Sequence, residues 1–370
     1  MVGYRYGPAL VDVEADDPDT ARWLAEFLTP WFAVGAAGAG EFVVRLTCSS
    51  PAFAVFEHRQ VTATCRPVAC FTLDSRVISL IGWTEEDGSQ VIADPEHGCF
   101  YMARGRCVEV VARPGVLRTR VGLMRVVREL AAARVLARQN ISDFHAAAFA
   151  VGERAVLLVG AKRAGKTTLL ANVLASGRAS LLANDRVFVD TGRQPPRAFG
   201  MPTLLSIQEG TIQAFPRLRR HPDERPALLH ADELKSLQAG RLDNDAPRVF
   251  ALSPTQFAGR LDAPTACGAP IAAIVFPQIS PTVDCWSLTL VDPTEGAARL
   301  RECFYGVHTT PRVRTLFEEF AGLDRAESPA LVDMLVAQCP LFSCRLGPDA
   351  YRDGADAWLQ ALSRDSTCRT

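Results

Sequence analysis

The segment that most constrains what this chain can fold into is a short loop, Gly160-Ala161-Lys162-Arg163-Ala164-Gly165-Lys166-Thr167. It satisfies the spacing GxxxxGK[ST] at every fixed position. Its flanks are equally informative. AVLLVG (155–160) carries no polar residue and reads as a buried strand. GKTTLLANVLASG reads as a helix whose apolar face is Leu169, Leu170, Val173 and Leu174, with Gly177 placed to end it. Glycines in such a loop let the backbone curl until successive N–H groups point inward at phosphate oxygens. The helix N-terminus adds partial positive charge. Lys166 can reach the β- and γ-phosphates, and the Thr167 hydroxyl can take a coordination position on Mg²⁺. The loop, with Thr168 next to it, therefore predicts a nucleoside triphosphate site of Walker A type, with ATP and Mg²⁺ as the expected ligands. No motif distinguishes adenine from guanine.

Composition supports a special role for the loop lysines. The chain has 40 basic residues, and only Lys162, Lys166 and Lys235 are lysines. Two of the three lie in the loop, where a compact ammonium meets a phosphate differently from a planar guanidinium. The same scarcity marks Lys235, in HADELKSL, as a candidate catalytic residue; Arg217, Arg219, Arg220 and Arg225 precede it in a polar 216–248 segment that reads as a loop or lid.

Two further candidates follow from spacing. Asp185, in Asn184-Asp185, lies at the end of the strand after the loop helix, where a carboxylate falls beside the metal and the γ-phosphate. It is placed either to hold the metal or to accept a proton from an attacking hydroxyl. His145 opens FHAAAFAV (144–151), the strand before the loop strand, and approaches the phosphates if the two strands pair.

Along the rest of the chain, residues 18–34 read as an amphipathic helix through Thr20, Trp23, Leu24, Phe27 and Leu28. From 41 to 112 short runs rich in Val, Thr and Phe alternate with turn residues and read as an antiparallel meander. The period changes over 117–138, which predicts a helix linking the two parts of the chain. SLLANDRVFVD (180–190), IAAIVF (271–276) and WSLTLVD (286–292) read as strands, and the C-terminal part is helical in texture. The expected organisation is a β-rich domain over 1–115, with no catalytic constellation, and an α/β P-loop domain over 116–370. The β-rich domain is read as a region for acceptor recognition or an oligomer contact.

A formal net charge of −1 gives no electrostatic basis for a nucleic-acid or membrane-surface partner. No window approaches the ~20 apolar residues of a membrane span. The acidic, proline-broken N-terminus does not read as a signal peptide, and a cytoplasmic protein is expected. The eleven cysteines form no CxxC pair and read as reduced thiols.

HAAAFAV, ERAVLLVGAKRAGKTTLLANVLASG and ASLLANDRV together resemble the core of HPr kinase/phosphorylase and the wider HPr kinase-like proteins. The resemblance is good over about 144–190 and faint over 195–362. It implies a nucleotide domain akin to that of phosphoenolpyruvate carboxykinase. It also implies transfer of the γ-phosphoryl group of ATP, with Mg²⁺, to a hydroxyl of a small molecule or of a peptide or protein serine. By carry-over, His145 matches the strand-leading histidine, Lys166 and Thr167 the loop, and Asp185 the second carboxylate of an acidic pair. Asn184 replaces the first carboxylate, and Thr168 stands where an acid is usual. These departures argue against phosphorylase activity and against HPr as the acceptor. Kinases of this resemblance are often oligomeric, so homo-oligomerisation is a further expectation. The alternative is a P-loop NTPase that acts as a switch or motor module through a partner protein; a third reading, a degenerate scaffold, conflicts with the intact Lys166–Thr167 pair.

Overall fold

The computed structural model describes residues 1–71, 77–138, 140–219, 249–280, 286–304, 330–347 and 355–367. It is a mixed α/β structure with two large mixed sheets, a two-stranded ribbon and nine α-helices among the described residues. The described residues divide into two compact units, the first ending at Arg138.

The first unit contains β1 (Val2–Tyr6), β2 (Ala9–Ala15), α1 (Pro18–Leu28), β3 (Ala33–Gly35), β4 (Phe42–Cys48), α2 (Ser50–Thr62), β5 (Arg66–Phe71), β6 (Val77–Thr84), β7 (Gln90–Asp94), β8 (Cys99–Arg104), β9 (Cys107–Ala112) and α3 (Thr119–Leu136). The strands form one sheet in the order β3-β1-β2-β4-β9-β8-β7-β6-β5. The expected meander holds for β5 to β9, whose successive pairs are antiparallel. It fails at β4, which pairs parallel with both β2 and β9. The chain leaves β4 into α2, a crossover that a parallel strand requires. That helix interrupts the β texture expected over 41–112. Ser49 accepts a hydrogen bond from the Ala52 amide, and Pro51 lies in the first turn. This start signal outweighs the β-branched residues at the far end of the helix. Phe53 and Phe56 pack on Phe100 beneath it.

Helix α3 is not a linker. Nearly every one of its residues is buried, and it packs on β2, β4 and β9 within the first unit. The expected division at 115/116 therefore cuts this helix from the sheet it covers. A buried polar cluster joins helix and sheet. Asp94 Oδ2 lies 2.7 Å from His97 Nδ1, accepts from the Tyr101 hydroxyl at 2.7 Å, and lies 3.8 Å from Arg125 Nη1. Burial pushes the Asp94 carboxyl up. The contacts with His97, Tyr101 and Arg125 outweigh it and hold the group below its ordinary value.

The second unit begins with β10 (Ile141–Val151), β11 (Arg154–Val159), α4 (Lys166–Ala175), β12 (Ser180–Ala183), β13 (Arg186–Asp190), β14 (Arg197–Met201), β15 (Leu205–Gln208) and α5 (Glu209–Ala214). It continues with β16 (Val249–Leu252), α6 (Pro254–Arg260), β17 (Gly268–Ile279), β18 (Ser287–Leu290), α7 (Pro293–Glu302), α8 (Ala330–Gln338), β19 (Leu341–Leu346) and α9 (Asp356–Thr367). The single strand expected over 180–190 is two strands, broken at Asn184-Asp185. Both pair antiparallel with β10, β13 with its first half and β12 with its second. The long strands β10 and β17 each change partners midway. As a result β11, β10, β13, β14 and β17 pair in a closed circuit. Beyond it, β19 pairs parallel with β17 and antiparallel with β18. The core holds Leu157, Val159, Ile274 and Phe276 from the strands against Leu300 of α7 and Val332 and Leu335 of α8. No helix among the described residues is long and apolar enough to cross a membrane.

Candidate functional site

The 160–167 loop leaves the end of β11 and enters α4, as its strand and helix flanks require. Arg163 (φ 72°) and Gly165 (φ 102°) both occupy the left-handed region and turn the chain back on itself. At Gly165 a Cβ would also lie 2.6 Å from Ile279 Cγ1, so glycine suits the position on two counts. Lys166 then begins the helix with its side chain folded under the loop. It is only 8% exposed, and its Nζ donates to the Gly160 carbonyl at 2.6 Å and the Ala161 carbonyl at 3.1 Å. Burial pushes the ammonium's pKa down, and the Asp185 carboxylate and the Cys303 thiol work the other way. A buried cation whose nearest named partners are neutral carbonyls suits an incoming anion.

The helix packs as expected, with Leu169, Leu170, Val173 and Leu174 buried. Thr167 is half-buried. The Thr168 hydroxyl lies 3.0 Å from that of Thr211, which ties α4 to α5. Lys162, Arg163 and Ala161 form the exposed side of the loop, while Ala164 is half-buried.

His145 and Asp185 come together. His145 Nε2 lies 3.1 Å from Asp185 Oδ1, and both side chains are partly exposed. Backbone bonds fix the pair. Ala146 pairs with Val159, the residue before Gly160, so His145 stands at the level of the loop. The Ala146 amide donates to the Asp185 carbonyl at 3.0 Å, and the His145 amide donates to the Cys303 carbonyl at 2.7 Å. Asn184 is buried and accepts from the Thr203 hydroxyl at 3.4 Å, so its amide serves the turn. Lys235 lies outside the described residues, as does the 220–248 part of the expected lid.

Two features of the site were not read from the sequence. Asp143, fully buried, accepts at one oxygen from both Nε and Nη2 of Arg186, each at 2.9 Å. The signal was there, in the i, i+2 spacing of Asp143 and His145 on a strand and in the adjacency of Asp185 and Arg186. Cys303 gives no such signal, because it reaches the loop from a distant part of the chain. Burial pushes its thiol pKa up, and Lys166 and the Gly160 amide oppose this. It lines a cavity of about 230 Å³ beside the loop, with Gly160, Ala164, Gln278, Glu302 and Ser343.

Among the described residues, no three His, Cys, Asp or Glu side chains gather as a metal cage. The donors that are present, the Thr167 hydroxyl and the Asp185 carboxylate, are hard oxygen ligands. They suit Mg²⁺, which takes few protein ligands and completes its shell with phosphate oxygens and water.

Compared with known proteins, the sequence matches no protein-family model and no curated protein. The functional reading therefore stands on the arrangement just described.

Proposed function

We propose that this protein is an ATP-dependent kinase of the HPr kinase-like type, built on a P-loop nucleotide domain akin to that of phosphoenolpyruvate carboxykinase. Its acceptor is a hydroxyl of a small molecule or of a peptide or protein serine. The observation that carries the reading is the His145–Asp185 pair at 3.1 Å, standing beside a loop whose buried lysine donates to two backbone carbonyls. A carboxylate backed by an imidazole is suited to receive a proton. A shielded ammonium is suited to the charge of a transferring phosphoryl group.

In this reading the acceptor oxygen forms the new bond to the γ-phosphorus as the bond to the β–γ bridging oxygen breaks and ADP departs. Asp185 takes the hydroxyl proton, and His145 orients that carboxylate. Lys166 neutralises charge on the phosphates, while the loop amides fix their position; such positioning supplies most of the acceleration in phosphoryl transfer. Thr167 would hold Mg²⁺ near Asp185, and the ion would supply further charge neutralisation.

The test is incubation of the protein with Mg·ATP, alone and with a pool of hydroxyl-bearing amino acids, peptides and metabolites, followed by mass spectrometry. An acceptor that gains one phosphoryl group, and loses that gain in Lys166→Ala and Asp185→Asn, is the expected result. ATP converted to ADP and free phosphate in every mixture, with no acceptor labelled, would instead establish hydrolysis and the switch or motor reading.

A further inference from the structure

The Asp143–Arg186 ion pair has a direction. His145 and Arg186 are directly opposed in the β10–β13 register, so their side chains share a face of the sheet. Asp143, two residues before His145, shares that face and opposes Phe188. The Arg186 guanidinium is 5.3 Å from the centre of the Phe188 ring and donates twice to Asp143. Phe188 in turn stacks on Phe199 at 5.8 Å. The cation is thus held between Asp143 and the Phe188 ring.

A buried ion pair is weak evidence for stability. Asp143 is 0% exposed and the Arg186 side chain 11% exposed. An apolar pair of similar volume often holds two strands as firmly as a buried ion pair. What the ion pair does that an apolar pair would not is fix the location of a guanidinium one residue from the Asp185 carboxylate and opposite the His145 ring.

We infer that Asp143 is a positioning residue: by holding the Arg186 guanidinium it keeps that cation off the Asp185 carboxylate and leaves Asp185 to pair with His145. The inference rests on the reading of Asp185 as the group that receives the acceptor proton. An arginine engaged with that carboxylate would lower its basicity and occupy the oxygen that faces His145.

The test uses the full chain labelled with ¹⁵N, with the His145 ring signals identified by their loss in His145→Gln. Asp143→Asn and the double variant Asp143→Asn/Arg186→Gln are compared with the unaltered protein at one pH, after circular dichroism confirms the fold. In Asp143→Asn the ring signals of His145 are expected to shift. Nucleotide turnover should fall by about 10-fold or more with the nucleotide KM within about twofold, the signature of lost orientation. In the double variant, where no guanidinium is set free, both should return toward the unaltered values. Unmoved ring signals in the single variant, or a double variant as impaired as the single, would overturn the inference. If Asp143→Asn does not fold, the double variant decides: ring signals displaced there would also overturn it. A protein that turns over no nucleotide would count against the kinase reading, while the ring signals would still decide the positioning.

Discussion

Gly165 offers a perturbation whose size can be worked from the structure. Gly165→Ala meets two obstacles: a Cβ 2.6 Å from Ile279 Cγ1 and a φ of 102°. The first is soft. Ile279 is 44% exposed at the end of β17, so its side chain can turn away at a cost of about 0.5–1.5 kcal/mol or less. The second is not soft, because the left-handed conformation costs an L-residue about 1–2 kcal/mol wherever its neighbours sit. The backbone term therefore dominates. The expected loss of stability without nucleotide is about 1–2 kcal/mol, which in a chain of 370 residues, at a melting entropy of about 2.1 cal/mol/K per residue, lowers Tm by about 1–3 °C. The variant would recover some of that strain by flattening the loop, and this would turn amides away from the phosphates; binding of ATP, measured by calorimetry, should weaken by about 10-fold or more. The companion Gly165→Ala/Ile279→Ala removes the steric term alone and should restore neither Tm nor affinity. Full recovery in the double variant would refute the assignment to backbone conformation. Unchanged Tm and affinity in Gly165→Ala would refute the role of the loop itself.

Other expectations concern fold and acidity. Gly200→Ala should be poorly soluble or unfolded, since its Cβ would lie 1.9 Å from the Leu182 carbonyl oxygen and β12 and β14 cannot both stay in place; a loss of about 4 kcal/mol or more is expected by urea titration. Gly210→Ala is the control, with open space around the new methyl in α5, and should stabilise by about 0.5–1 kcal/mol. Asp94→Asn should cost about 3–5 kcal/mol at pH 7, because it leaves Arg125 and His97 without their buried carboxylate. The sign with pH follows from the depressed Asp94 carboxyl. Its contribution is complete above the unfolded carboxylate value of about 3.9 and is lost as pH falls through the lower folded value. Urea titrations at pH 7 and pH 3 should therefore show a smaller difference between the two pH values in Asp94→Asn than in the unaltered protein. An equal difference would remove Asp94 from the acid response.

What the sequence made legible was local. The loop, the strand before it and the helix after it are contiguous, and their hydrophobic patterns change period where the structure changes element. His145 and Asp185 were legible for a related reason, because each sits next to a strand whose pairing follows from the loop strand. The parallel pairing of β4 with β2 and β9 was not, since short Val- and Phe-rich runs look alike whichever neighbour they take. Helix α2 was hidden by β-branched residues at its end, although Ser49 and Pro51 announced its start. Helix α3 was found, but its role was not: amphipathic spacing shows that a face is buried and does not say against what. Cys303 could only be placed by folding the chain, and Asp143 and Arg186 became a pair only once β10 and β13 were in register. The Asn184-Asp185 break was missed as well: the polar pair is visible in mid-segment, yet residues 180–190 read as one strand and fold as two.

The circuit of strands β11, β10, β13, β14 and β17 has a consequence for motion. Each of these five strands pairs with two others of the ring, so each is tied into the circuit at two places. Because β10 and β17 run through both halves, prising open either half breaks pairing in the other, and partial opening approaches the cost of unfolding the unit. The amides of Ala146 and Val159 should then be among the slowest to exchange with deuterium. Whatever rearrangement accompanies a ligand is expected in the curl of backbone above β11 and in the helices that flank the ring, while His145 and Asp185 are tied to the paired strands.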